Sequence, residues 1–174
     1  MEKVTVVVPV YNAEKYLRQT MSYLLYQTLE EIEFIFVDDG SSDHSVSIIE
    51  EYMQMHPNKI SLYHTDHTGP GGARNNGIEC ARADYIGFAD ADDYMEYNMY
   101  EKMLHAAKDG NHDLVCTPYY LVRDDKKRIH GRINQPVKKD QLIFHGEVAF
   151  WNKLIHKDLL HQTGKIPQIW FEAT

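Results

Sequence analysis

The sequence predicts an α/β fold in which a mostly parallel sheet is flanked by helices, and three features carry that expectation. Nearly continuous apolar runs recur at Val4–Val8, Ile32–Val37 and Tyr85–Ala89, the pattern of strands buried on both faces. Segments of helical period alternate with these runs, which specifies strand–helix crossovers and parallel neighbours. Polar clusters follow the strands, at the ends where open α/β sheets hold their ligands.

Taken in order, Val4-Thr5-Val6-Val7-Val8 is a β-branched first strand that Pro9 ends. From Ala13 to Gln27, Tyr16, Leu17, Met21, Leu24 and Leu25 fall on one helical face, with Asn12 placed to cap the N-terminus. Ile32 to Val37 is the second strand and Asp38-Asp39-Gly40-Ser41-Ser42-Asp43 a polar turn. Val46, Ile49, Tyr52 and Met53 then mark an amphipathic helix. Ile60 to His64 is a third strand. Gly69-Pro70-Gly71-Gly72 reads as a turn leading into a helix from Ala73 to Ala81, before the strand Tyr85 to Ala89. A further helix carries Met99, Met103, Leu104 and Ala107 on its inner face, and Asp113 to Thr117 is a strand. Residues 123 to 141 have few apolar anchors and read as a mobile loop or a short exposed hairpin.

A chain of 174 residues fits one domain with a real core. The 18 basic and 26 acidic residues give a formal net charge of −8, which argues against broad attraction to nucleic acid or anionic lipid. An anionic ligand must therefore be held by local groups. Cys80 and Cys116 have no CxxC spacing, so neither a disulfide framework nor a zinc site is indicated and a reducing cytoplasm is the expected compartment. No apolar run is long enough to span a bilayer, although peripheral attachment at the inner face of the membrane stays compatible with the sequence. The ten histidines, His64 and His67 the closest pair, match no zinc pattern and read as scattered surface residues. No heptad or apolar stripe indicates an oligomeric state.

Three carboxylates within four positions, Asp90, Asp92 and Asp93, end the strand Tyr85 to Ala89. Alone, such a cluster reads as a solvated acidic turn. Carboxylates that crowd one another raise each other's pKa values, and a hard cation relieves the repulsion. Tyr11 and Asn12, Asp38 and Asp39, and the glycine turn with Arg74 follow the preceding strands, so four strand ends offer polar groups to one rim. An aromatic such as Tyr11 can stack on a base, Asp38 can accept from an imino N–H, and Arg74 with a helix N-terminus can meet phosphate charge. Singly, Tyr11 could be a core aromatic, Asp38-Asp39-Gly40 an ordinary turn and Arg74 half of a surface ion pair.

Three other classes fit less well. A receiver-like domain would account for Asp38-Asp39 but has no need of Asp90 to Asp93. A haloacid-dehalogenase-type phosphatase would use Asp90 as nucleophile, yet Tyr94 stands where Thr or Val is expected. A dinucleotide oxidoreductase would need a G-x-G-x-x-G after the first strand.

Val8-Pro9-Val10-Tyr11-Asn12, Val37-Asp38-Asp39-Gly40-Ser41-Ser42-Asp43, Gly72-Ala73-Arg74-Asn75-Asn76-Gly77 and Asp90-Ala91-Asp92-Asp93 occur in that order. With these four motifs the chain resembles the family 2 glycosyltransferases over roughly residues 3 to 174. The resemblance implies a GT-A type, Rossmann-like fold, a nucleotide-diphospho-sugar donor, with uridine the expected base, and a divalent metal, Mn or Mg. It implies a saccharide, lipid-linked saccharide or other cell-envelope acceptor. Within a single domain, residues 1–95 would form the nucleotide-sugar half and 96–174 the acceptor-side half, cut short at its C-terminal end. By motif, Pro9 and Tyr11 would line the base pocket, Asp38 would contact the base, Asp39 would support that loop and Arg74 would sit close to the nucleotide. Asp90 would face the ribose and diphosphate and join Asp92, the main metal ligand and a catalytic residue, with Asp93 nearby. Phe150-Trp151-Asn152-Lys153-Leu154 resembles a W-x-K-L segment, which places Trp151 and Lys153 on the acceptor side.

The chain also departs from the family pattern. His67 stands where an asparagine is usual. A Glu-Asp pair is common after the W-x-K segment, its aspartate acting as base, but here Glu172 is followed by Ala173, which takes no proton. Three accounts stay open: Glu172 is the base, another carboxylate such as Glu147 serves, or the chain binds nucleotide without efficient transfer.

Overall fold

The computed structural model describes residues 3–123, 126–130 and 150–163. Among them a six-stranded sheet runs in the order β3-β2-β1-β4-β8-β5, with β1 Val4–Val10, β2 Ile32–Asp38, β3 Ile60–His64, β4 Tyr85–Phe88, β5 Leu114–Cys116 and β8 Lys153–His156. β1, β2, β3 and β4 are mutually parallel, and β8 is antiparallel to both β4 and β5. The expected α/β, mostly parallel architecture is therefore the one observed. A separate antiparallel pair, β6 Tyr119–Arg123 and β7 Lys126–His130, starts before the 123–141 segment expected as a mobile loop or short hairpin and overlaps only its beginning; the rest of that segment lies outside the described residues.

Strand alternation divides the core into two layers. Val4, Val6, Val8 and Val10 of β1 and Phe34 and Phe36 of β2 pack with Leu17, Met21 and Leu24 of α1 (Glu14–Leu25), with α2 (Ser45–Met55), and with Met103 and Leu104 of α4 (Met99–Asp109). On the opposite face Val7, Ile35 and Val37 meet Ala73 and Ile78 of α3 (Gly69–Cys80) and Leu159 and Leu160 of α5 (Lys157–Thr163). Burial on both faces is why these strands read as unbroken apolar runs rather than alternating ones.

Several local expectations are corrected. Asn12 does not cap α1. Its backbone is left-handed at φ 49, and its Oδ1 instead accepts the backbone N–H of Ser42. The first N–H groups of α1 are met from the loop before α2: Ser45 Oγ accepts from Ala13 N and Asp43 Oδ2 from Glu14 N, while Glu14 Oε2 accepts from His44 N. Two helix N-termini thus cap each other, each supplying the acceptor that the other's orphan donors require. Tyr16 points outward, and Thr20 takes the inner position.

The glycine segment is the larger correction. Gly69-Pro70-Gly71-Gly72 is the first turn of α3 rather than a turn before it. Pro70 tolerates that position because a first-turn N–H has no intrahelical partner to lose. Gly77, further along α3, allows the helix to lie close on β1: a Cβ there would stand 2.3 Å from Val7 Cγ1. The strand expected over 113–117 is confined to Leu114–Cys116, and β8, which separates β4 from β5, had no counterpart in the sequence reading.

Candidate functional site

The carboxyl ends of β3, β2, β1 and β4 lie side by side, and the chain order turns over between β1 and β4. The polar residues that follow these strands therefore converge at a topological switch point. Pro9, half-buried, is the second-last residue of β1 and pairs with Val37. Tyr11 follows β1 and is 53% exposed, which excludes a core role. The turn that carries it is tied to the β2–α2 loop by Asn12 N donating to Ser41 Oγ at 3.0 Å and by the reciprocal helix caps.

Asp38 and Asp39 are both buried but differently used. Asp38 Oδ1 accepts from Ser41 N at 3.2 Å, and Oδ2 lies 3.3 Å from His64 Nδ1 at the end of β3. Asp39 is saturated: its carboxylate accepts from Thr65 Oγ1 at 2.8 Å, Thr68 N at 2.6 Å and Gly69 N at 2.8 Å. Negative charge at a helix N-terminus is favourable, so Asp39 is the long-range cap of α3. Its oxygens are taken up by the loop before α3 and by the helix start, which leaves little capacity for a ligand.

Arg74, one turn into α3, is buried and pairs through Nη2 with Asp90 Oδ1, across the rim beyond β4. Burial pushes the guanidinium down from its ordinary value, opposed by Asp90 and Asp93. For Asp90, burial raises the carboxyl and Arg74 pulls it back. Asp93 has no such direct partner. Its Oδ2 is buried without a hydrogen bond among the described residues, and burial, with Asp90 and Asp92 beside it, pushes it up to about 7. Asp92 is exposed. The segment is held by Ala91 O, which accepts from Thr20 Oγ1 of α1 at 2.8 Å, and by Asp93 N donating to Asp90 O.

This carboxylate set suits a hard, oxygen-seeking cation. No group of three metal-ligating side chains is preformed among the described residues, so a cation here would complete its shell with ligand oxygens and water rather than sit in an all-protein cage. Asp92 is the carboxylate open to it, Asp90 is partly committed to Arg74, and Asp93 carries the charge cost that a cation would relieve.

The W-x-K-L segment is brought to the same strand end. Phe150 packs edge-on to Phe88 at 5.5 Å, and β8 pairs antiparallel with β4 so that Leu154 faces Gly87. Asn152 is buried, with Nδ2 donating to Thr117 O and Oδ1 accepting from Lys153 Nζ, while Trp151 stands edge-on to Tyr119. Glu147, Glu172 and Ala173 lie outside the described residues.

Sequence reasoning sets His64 and His67 aside as surface histidines, and both are exposed, but their contacts were not foreseen. His64 reaches Asp38, and the His67 ring lies 4.8 Å from that of Tyr11. The available signal was position: His64 ends β3, and His67 lies in the loop that feeds α3, where the family's usual residue is an asparagine.

The sequence model described as "Glycosyl transferase family 2" matches residues 5–167. The "Putative glycosyltransferase EpsH" of Bacillus subtilis (strain 168) is 36% identical over 165 residues, covering 90% of this chain and 48% of that protein. The chain thus spans about half the length of this curated relative. Among solved structures, S. aureus TarS 1–349 in complex with UDP superposes with a TM-score of 0.74 at 21% identity, covering 98% of this chain and 52% of that one. The mannosyltransferase PcManGT from Pyrobaculum calidifontis, in complex with GDP-Man and Mn2+, gives a TM-score of 0.72 at 18% identity, covering 95% and 48%. These likenesses identify the fold as that of GT-A glycosyltransferases.

Proposed function

Because this chain belongs to glycosyl transferase family 2, we propose that it moves a sugar from a nucleoside diphosphate-sugar to a hydroxyl of a saccharide, lipid-linked saccharide or other cell-envelope acceptor. The observation that carries the reading is the ion pair of buried Arg74 with Asp90 beside exposed Asp92, set at the sheet's switch point one strand from Tyr11 and two from Asp38. A uridine donor is supported by the UDP complex of TarS, a structural neighbour, although PcManGT carries GDP-Man. Among the described residues no helix is long and apolar enough to cross a membrane; work in the cytoplasm, at the inner face of the cell membrane, is part of the proposal.

In this reading Tyr11 and Pro9 line the base, and Asp38 accepts the base N–H with an oxygen already oriented by Ser41 N. Arg74 holds Asp90 toward the ribose and diphosphate and brings positive charge to the leaving group. Asp92 and Asp90, with Asp93 beside them, would hold a divalent cation, Mn or Mg. When bound, such an ion supplies Lewis-acid neutralisation of charge building on the diphosphate. Trp151 and Lys153 face the acceptor. Transfer inverts the anomeric centre: the acceptor oxygen bonds to the anomeric carbon from the face opposite the departing diphosphate oxygen, and its proton passes to a carboxylate, Glu172 or Glu147. A positioned base is worth about 100- to 10,000-fold in rate.

The test is calorimetric titration with UDP, GDP, ADP and CDP, each with manganese and with chelator. One of them, UDP by expectation, binds more tightly with metal, and Asp92→Ala removes that difference while leaving the melting temperature unchanged. Equal affinity with metal and with chelator overturns the cation assignment. Failure of every nucleotide to bind overturns the donor assignment.

A further inference from the structure

We propose that His67 is a further base-binding residue of the nucleotide site, forming with Tyr11 a single two-ring wall against which the donor base lies; this rests on the nucleotide-sugar reading above. The ring centroids are 4.8 Å apart and inclined at 45°, so the two side chains are already in contact and present one bent aromatic surface. Both are open to ligand, the Tyr11 residue at 53% and the His67 side chain at 67% exposure. Asp38 lies in the same layer, its strand position paired with Val10, which precedes Tyr11, and with His64.

The wall is built rather than incidental. His67 is one of three non-glycine residues among those described with a left-handed backbone, at φ 46, a conformation that surrounding structure must impose. Asp39 imposes it by gripping both sides of the residue, through Thr65 Oγ1 before it and Thr68 N and Gly69 N after it. His67 Nδ1 sits 3.1 Å from the carbonyl oxygen of Asp39, which accepts a hydrogen bond if Nδ1 carries the proton and so fixes the ring's rotation as well as its place. The buried carboxylate that caps α3 therefore also places an aromatic ring beside Tyr11. Such a ring adds stacking that any base can use, while Asp38 chooses among bases by its demand for an N–H donor.

UDP affinity with manganese, measured by calorimetry on the whole chain, separates the ring from the backbone and from the Nδ1 bond. His67→Asn keeps a residue tolerant of the left-handed backbone but removes the ring; His67→Phe keeps the ring and loses Nδ1. The expected result is about tenfold weaker binding for His67→Asn, binding within about twofold of the original for His67→Phe, and a non-additive loss when His67→Asn is combined with Tyr11→Ala. Circular dichroism and melting curves show whether each variant is folded. Unchanged binding in His67→Asn, or an equal loss in both single variants, overturns the wall while leaving the nucleotide reading intact. If the original chain binds no nucleotide, both fall together.

Discussion

Buried Arg74 of α3 and partly exposed Asp90 beyond β4 form an ion pair that joins the helix following β3 to the acidic loop following β4. Neither strand is the other's neighbour in the sheet, where β2 and β1 lie between them. The pair thus ties the two sides of the rim together.

Removing one partner of such a pair leaves the other charge stranded. Because Asp90 keeps part of its hydration, Arg74→Ala is expected to lower unfolding free energy by about 2 kcal/mol, measured by urea denaturation. Arg74→Met combined with Asp90→Asn, which leaves neither partner of the pair charged, recovers part of that loss. A double variant as unstable as the single one would assign the loss to Arg74 packing instead.

Asp39→Ala removes the acceptor shared by Thr65 Oγ1, Thr68 N and Gly69 N. A loss of about 2 kcal/mol is expected, with Asp39→Asn retaining part of it through its remaining oxygen. Nucleotide affinity should fall alongside stability, because the same carboxylate places His67. Thermal melting and calorimetry on the two variants check both effects.

Asp93 gives stability a pH dependence of known sign. Its carboxyl is pushed up to about 7 from an ordinary 3.8, by burial first and then by Asp90 and Asp92. The folded chain therefore keeps a proton that the unfolded chain releases, so this residue's contribution is full below about pH 4 and is lost as pH rises through about 7. In chelator, Asp93→Asn should gain on the original chain between pH 4 and pH 8, by on the order of 2 kcal/mol after allowance for partial solvent screening. Parallel stability curves for the two proteins would contradict it.

Gly77→Ala would place a methyl group 2.3 Å from Val7 Cγ1. Valine on a strand has little rotamer freedom with which to yield, so a loss of about 1–3 kcal/mol is expected. Val7→Ala in the same chain opens the space, and the double variant should recover stability relative to Gly77→Ala alone.

Legibility in the sequence followed the range of the forces involved. The strands β1, β2 and β4 and the inner faces of α1 and α4 were readable because burial imposes a local period. The start of α3 was misread because glycine and proline are locally turn residues, whereas the helix is secured by Asp39, 30 residues before Gly69. Asn12 was assigned as a cap on local rules, but its partner Ser42 lies 30 residues away. β8 was missed because Lys153–His156 is four residues long and becomes a strand only by fitting between β4 and β5.

The sequence by itself determined the fold class, the family and the rim where Tyr11, Asp38, Arg74 and Asp90 to Asp93 gather, since apolar periodicity and motif order are properties of neighbouring residues. Only the tertiary structure decided how those residues divide the work. Asp38 is engaged by Ser41 N and His64 while Asp39 is consumed as a helix cap; Arg74 is committed to Asp90 and Asp92 is left open; His67 is carried onto Tyr11. Each of these outcomes depends on hydrogen bonds and charges that meet across tens of residues of chain, and such pairings come into being only when the strands align.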